Sequence, residues 1–206
     1  MSEKVLAEQC VLRNTAAERE IFCRYNAMLR GICLRYAADA DDAEDMLQEG
    51  FIKIFNSIES FTWKGEGSFS AWMRRVMVNN AINIYKKSKR MKSQFIDSAD
   101  YEPYLTVADD QHGSDENSDL KNVMDAGITQ EMLLDMLKQL PEKYSIVFNL
   151  AVIDGIRHKE IADSLGIDES SSRSRLLRAK MMLRKKLEEY MKNFKNVRQI
   201  QNSECI

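Results

Sequence analysis

The chain has 206 residues, 44% of them apolar and 30% charged, and a net charge of −2. With two prolines and eight glycines it favours helices over sheet, and no apolar run nears the ~20 residues of a membrane span. The N-terminus, MSEKVLAEQCVLRNTAAERE, is charged too early and too often for a secretory signal, so a cytoplasmic protein is expected.

Residues 1–16 read as an N-terminal extension and 17–90 as a first helical domain. Phe22, Tyr25, Leu29, Ile32 and Tyr36 recur every three or four residues, the pattern of a long amphipathic helix. After the polar break Asp39-Ala40-Asp41, a second helix carries Ala43, Met46, Leu47, Phe51, Ile54 and Phe55 on one side. Asp45, Gln48, Glu49 and Ile52 lie opposite, and an isoleucine among exposed acids suits a docking surface better than a merely solvated one. Ser57 to Gly67 reads as a loop containing Phe61, Trp63, Lys64, Gly65 and Gly67. Ser68 or a neighbour then opens a third helix, with Phe69, Trp72, Met73, Val76 and Ile84 inward. Arg75, Asn79, Ile82 and Lys86 share its other face, which runs into Lys86-Lys87-Ser88-Lys89-Arg90.

Residues 91–127 lack sustained periodicity and read as a flexible, self-repelling acidic linker. Asp97, Asp100, Glu102, Asp109, Asp110, Asp115, Glu116, Asp119 and Asp125 face a single base, Lys121; without this segment the remaining chain carries +6. Basic domains joined by an acidic connector suit a polyanionic partner.

A second helical domain is expected over 128–190, with a short tail over 191–206. Thr129 is a plausible N-cap before Leu133, Leu134, Leu137 and Leu140. Pro141 suits a first helical turn, and the helix from Glu142 to Ile153 buries Ile146, Val147, Leu150 and Ile153 before Asp154-Gly155 ends it. From His158 to Leu187 the pattern is a helix-turn-helix: Ile161, Ala162 and Leu165 pack the first helix, Gly166 permits the turn and Ile167 plugs it. A recognition helix starting near Ser170 points Ser172, Leu176, Ala179, Leu183 and Leu187 inward. Ser170, Ser171, Ser174 and Arg178 point outward, flanked by Arg173 and Arg175. Small hydroxyls let such a helix sit deep in the major groove, and arginines bond guanine edges or phosphates. Lys159, at the start of the preceding helix, is placed to grip the sugar-phosphate backbone.

Leu140-Pro141, Glu160-Ile161-Ala162, Leu165-Gly166-Ile167 and Ser174-Arg175-Leu176-Leu177-Arg178-Ala179 resemble region 4 of the sigma-70 family, in its small extracytoplasmic-function (ECF) type. Asp42-Ala43-Glu44-Asp45-Met46-Leu47-Gln48-Glu49-Gly50-Phe51 resembles the region 2 segment that binds the polymerase clamp. Phe69-Ser70-Ala71-Trp72-Met73, with Asn79 and the basic run, resembles the segment that reads and melts the minus-10 element. The resemblance implies an all-α protein of two small helical domains, an alternative sigma factor rather than an enzyme. Its partners would be core RNA polymerase, through the beta-prime clamp helices and the beta flap, and promoter DNA. An anti-sigma factor is also admitted.

On that reading Asp45, Gln48, Glu49 and Ile52 bind polymerase. Trp63, Lys64, Arg75, Asn79 and Lys86 meet the minus-10 strand, while Lys159, Ser170, Ser171, Arg173, Ser174, Arg175 and Arg178 meet the minus-35 element. Trp63 either lines a base-capture site or folds back onto Phe61 or Phe69, and Trp72 belongs to the core. The sequence departs from the family at Ser172, where valine is usual, at Asn83, where aspartate is common, and at Ser170-Ser171, where Gly-Thr is usual. A hydroxyl at the inward position 172 is expected to loosen or tilt the recognition helix.

The alternative is a polymerase-independent helix-turn-helix regulator, which leaves the first domain's two segments unexplained. No cofactor or metal site is expected. Cys10, Cys23, Cys33 and Cys205 show no CxxC or Cys/His ligand spacing, and His112 and His158 are the only histidines. Cys23 and Cys33, on one predicted helix, would lie ~15 Å apart, beyond disulfide reach.

Overall fold

The computed structural model describes residues 1–93 and 129–203. The chain divides into two compact units, Met1–Ala99 and Asp100–Ile206. Among the described residues both are helical and neither contains a strand. The linker expected over 91–127 lies outside the described residues, apart from 91–93 at the end of a helix, and so does Cys205.

Unit 1 contains α1 (Glu3–Val11), α2 (Thr15–Tyr36), α3 (Ala40–Ser57) and α4 (Ser68–Ser93). Short polar side chains start three of them. Ser2 Oγ accepts from the N–H of Val5, Asn14 Oδ1 from those of Ala16 and Ala17, and Asp39 Oδ1 from that of Asp42. Ser2 and Asp39 each occupy one, and Asn14 two, of the donors that a helix start leaves without an internal partner.

Helix α4 packs on all three others. It contributes Phe69, Met73, Met77, Val78, Ala81 and Ile82 to a core shared with Ile21, Tyr25, Leu29 and Ile32 of α2 and Met46, Leu47, Phe51 and Ile54 of α3. The α1 segment, read from sequence as an extension, is built into this unit. Leu6, Ala7 and Cys10 are buried, and Arg24 Nη1 donates to the carbonyl of Met1 at 3.0 Å. Arg13 takes φ +57° between α1 and α2 and donates from Nη1 to the carbonyl of Phe55, 3.3 Å away in the last turn of α3. A guanidinium there also complements the negative end of that helix.

Unit 2 contains α5 (Gln130–Lys138), α6 (Glu142–Phe148), α7 (His158–Leu165) and α8 (Glu169–Ser203). Thr129 caps α5 through the N–H of Met132, as its sequence position suggests. The helix expected to run unbroken to Ile153 instead widens into a π-helical turn over Asn149–Ile153, and Val152 and Ile153 are exposed. Leu137 and Leu140 pack against Ala179 of α8, with Tyr144, Phe148, Met182 and Leu183 around them. The α8 backbone continues helically to Ser203, through most of the segment read as a tail.

The crossing of α3 and α4 is tight at Gly50. A Cβ added there would collide with the thioether of Met77, which is wholly buried and rests its sulfur 3.4 Å from Cys33 Sγ. Alanine would gain about 1 kcal/mol of helix propensity, against about 1–3 kcal/mol for overpacking. Gly50→Ala is therefore expected to lower the melting temperature of unit 1, and thermal unfolding checks it; a stabilised variant would show that Met77 swings aside freely.

Candidate functional site

Three surfaces carry the residues singled out from sequence. The first is the outer face of α3. Asp45, Gln48, Glu49 and Ile52 are all exposed, Ile52 by 60%. Lys53 ties Glu49 to the bundle: its Nζ lies 2.6 Å from Glu49 Oε1 and also donates to Asn80 Oδ1 of α4. Asn80 is buried and donates from Nδ2 to the carbonyl of Met46 at 3.2 Å. The sequence reading missed this polar link, because Asn80 looks like any polar residue in a basic helix until its burial is known.

The second surface joins α4 to the loop before it. Arg75 and Asn79 are exposed and Lys86 is half-buried, but Ile82 is buried and does not share their face. Stepping by four residues from Arg75 and Asn79 reaches Asn83, which is exposed. Lys87, Lys89 and Arg90 of the basic run are exposed, and Arg74 adds an exposed base that the sequence reading did not assign.

The loop is closely fastened. Ser68 Oγ accepts from the N–H of Lys64 at 3.3 Å and donates to the carbonyl of Gly65 at 2.6 Å. Gly65 and Gly67 take φ +119° and +79°, conformations that suit glycine. Lys64 is exposed and Trp63 half-buried. Phe61, Phe69 and Trp72 pack together with ring centroids 5.1–6.0 Å apart, and the Trp63 ring belongs to no aromatic pair among the described residues. Trp72, expected in the core, is half-buried against Phe61 and Phe69.

The third surface is the helix-turn-helix. Gly166 turns the chain at φ +68°, ψ +43°, and both its N–H and that of Ile167 return to the carbonyl of Ala162. Helix α8 then presents Ser170 and Arg173 as exposed and Ser171, Ser174 and Arg178 as half-buried, with Lys159 exposed on α7. Arg173 pairs with Glu169 at 2.6 Å; exposed pairs of this kind are worth only about 0–1 kcal/mol and yield readily to a stronger anion. Arg178 Nη1 reaches back to the Tyr144 hydroxyl at 3.3 Å.

Arg175, expected to flank the outward face, is turned inward. It is only 9% exposed and does not flank the open face. It lies three residues after Ser172 and four before Ala179, both wholly buried, so helical spacing draws it onto the packed side.

Ser172 is also resolved differently from the expected loosening. Its hydroxyl lies 2.8 Å from His158 Nδ1, so a buried polar group finds a partner across the two helices of the motif. Burial, and after it the charge of Arg173, holds the His158 imidazole below its ordinary value near 6.5, with Lys180 acting in the same direction and Glu169 against it. His158 is thus favoured neutral in the folded chain. The stability this contributes is complete above about pH 6.5 and is lost as the pH falls through the lowered folded value. Thermal unfolding at pH 7.5 and 5 should show unit 2 weakening on acidification, and His158→Gln should reduce that dependence; an unchanged slope would assign it to other groups.

The described helices contain no span long and apolar enough to cross a membrane, and no cluster of metal-ligating side chains occurs among the described residues. What the structure offers is two helical units with exposed charged faces, one a bundle with a fastened loop and the other a helix-turn-helix. That is the form of a DNA-binding protein with a separate docking module.

Family comparisons narrow this further. The model for sigma-70 region 2 matches residues 21–91, and that for sigma-70 region 4 matches residues 130–183. The ECF RNA polymerase sigma-E factor of Haemophilus influenzae is 28% identical over 192 residues, covering 93% of this chain and 98% of the relative. The factor of the same name from Escherichia coli K12 is 25% identical, covering 91% and 95%. Among solved structures, CnrH in complex with the cytosolic domain of CnrY covers 91% of this chain and 97% of that one, at 19% identity and a TM-score of 0.46. RpoE in complex with the anti-sigma factor NepR from Bartonella quintana covers 82% and 96%, at 17% identity and 0.49.

The chain belongs to the sigma-70 family, as a sigma factor of the ECF type. It is an alternative sigma factor that binds core RNA polymerase and directs promoter-specific transcription initiation.

Proposed function

We propose a division of that activity between named surfaces. Unit 1 docks on the beta-prime clamp helices through Asp45, Gln48, Glu49 and Ile52, and grips the melted minus-10 strand with Trp63, Lys64, Arg75, Asn79 and Lys86. Unit 2 reads the minus-35 element through Lys159, Ser170, Ser171, Arg173, Ser174 and Arg178, and meets the beta flap. The supporting observation is the outer face of α3, where a 60%-exposed isoleucine sits among acids on the side opposite the buried stripe. Water gains nothing from that arrangement, whereas an apolar and basic helix surface would.

The factor acts without catalysis of its own, in the cytoplasm where polymerase works. An anti-sigma factor is the expected regulator. Engagement of both promoter elements at once relies on polymerase to space the two units, since tethering turns the second contact into an intramolecular one.

Run-off transcription with purified core polymerase tests the division. Asp45→Ala with Gln48→Ala should lower affinity for core polymerase at least tenfold with folding intact; unchanged association removes α3 from the docking surface. Arg173→Ala should cost about 1–3 kcal/mol of discrimination between cognate and scrambled minus-35 sequences if it reads a base. Equal loss on both sequences would reduce it to a phosphate contact.

A further inference from the structure

The N-terminal helix α1 lies before residue 21, where the region 2 match begins, yet one of its side chains reaches the loop assigned to the minus-10 strand. The Glu3 carboxylate accepts two hydrogen bonds from distant parts of unit 1. Oε1 takes the hydroxyl of Tyr25 on α2 at 2.9 Å, and Oε2 takes the backbone N–H of Gly67 at 2.9 Å. Gly67 immediately precedes α4, so the carboxylate also sits at the positive end of that helix.

The rest of α1 is held without Glu3. Leu6, Ala7 and Cys10 are buried, Ser2 caps the helix, and Arg24 fastens the carbonyl of Met1. Tyr25 is equally fixed, buried with its ring edge-on to Phe69 at 6.1 Å. Burial, and then the bond to Glu3, pushes its phenol up to about 12, so it stays a donor at working pH. Glu3 is therefore presented by two packed helices to the Gly67 end of a glycine-rich turn. The other end of that turn is already closed by Ser68.

We propose that Glu3 is a positioning residue for minus-10 recognition: it fixes the loop from Trp63 to Gly67 in the shape that receives an unstacked base. The proposal rests on the reading of Trp63 and Lys64 as base-contacting residues. Its basis is preorganisation, since a loop ordered before binding loses less freedom on contact. Simple charge arguments give the opposite sign. Removing an acid beside a DNA-binding surface should strengthen binding to DNA of any sequence.

The test compares full-length variants with core polymerase on promoters carrying the cognate or a substituted minus-10 element. Glu3→Ala should relax that discrimination by roughly 5- to 10-fold, the scale of one lost hydrogen bond network member. Core binding and minus-35 discrimination should stay unchanged. Glu3→Gln should restore most of it, because its amide oxygen can take the Gly67 N–H while its amino group donates to the Tyr25 oxygen. If Glu3→Ala is poorly folded, Glu3→Asp, one methylene too short to bridge both donors, should give the same relaxation.

Unchanged discrimination in the folded Glu3 variants, with loss in Trp63→Ala or Lys64→Ala, overturns the role of Glu3 and leaves the loop reading standing. Unchanged discrimination in Trp63→Ala and Lys64→Ala as well overturns the loop reading, and the role of Glu3 with it. Equal loss at the minus-10 and minus-35 elements reduces Glu3 to a stability residue and also overturns the proposal.

Discussion

Burial of one stripe of α4 organises unit 1. Phe69, Met73 and Met77 point into the core and the helix packs on α1, α2 and α3. A helix in a small bundle can hide only part of its circumference, so packing this stripe obliges the reverse side to face water. Arg75, Asn79 and Asn83 occupy that side. The same constraint on α3 buries Met46, Leu47 and Ile54 and turns Asp45, Gln48 and Ile52 outward. Two surfaces of different charge follow from a single core.

Polar contacts between helices then fix what apolar packing leaves loose. Asn80 bonds both Lys53 and the Met46 carbonyl, and so ties α4 to α3 at a defined height. His158 and Ser172 do the same between the two helices of the helix-turn-helix. Such pairs add little net energy when satisfied and cost much when broken. Their value lies in excluding alternative registers, which matters where exposed side chains must meet a partner at set spacing.

Much of this was legible from residue spacing. The α3 stripe, the Thr129 cap, the turn at Gly166 and the inward direction of Ser172 and Ala179 follow from periodicity and backbone chemistry alone. Other features were not. Ile82 stands at the border between faces, where a period of 3.6 residues does not decide orientation, and Arg175 has inward spacing but a charge that reads as outward. An arginine can also lay its methylene stem along apolar neighbours. Helix α1 was invisible as part of the bundle because nine residues give too short a pattern, and because the bond from Glu3 to Gly67 spans 64 positions. The partner that satisfies Ser172 is 14 residues upstream on another helix, so a hydroxyl at an apolar position read as a defect.

The hollow at Gly50 has a chemical corollary. It accommodates a thioether against the Cys33 thiol, whose titration burial pushes up to about 12, so that thiol stays protonated and unreactive. While the bundle is closed, Met77 is shielded from oxidants. A newly made or transiently opened chain has no such shield. Conversion of Met77 to its sulfoxide would place a polar oxygen in a wholly buried contact between Gly50 and the Cys33 thiol. Oxidation of Met77 would therefore weaken the closing of the bundle around α4 and leave the exposed faces themselves chemically unchanged.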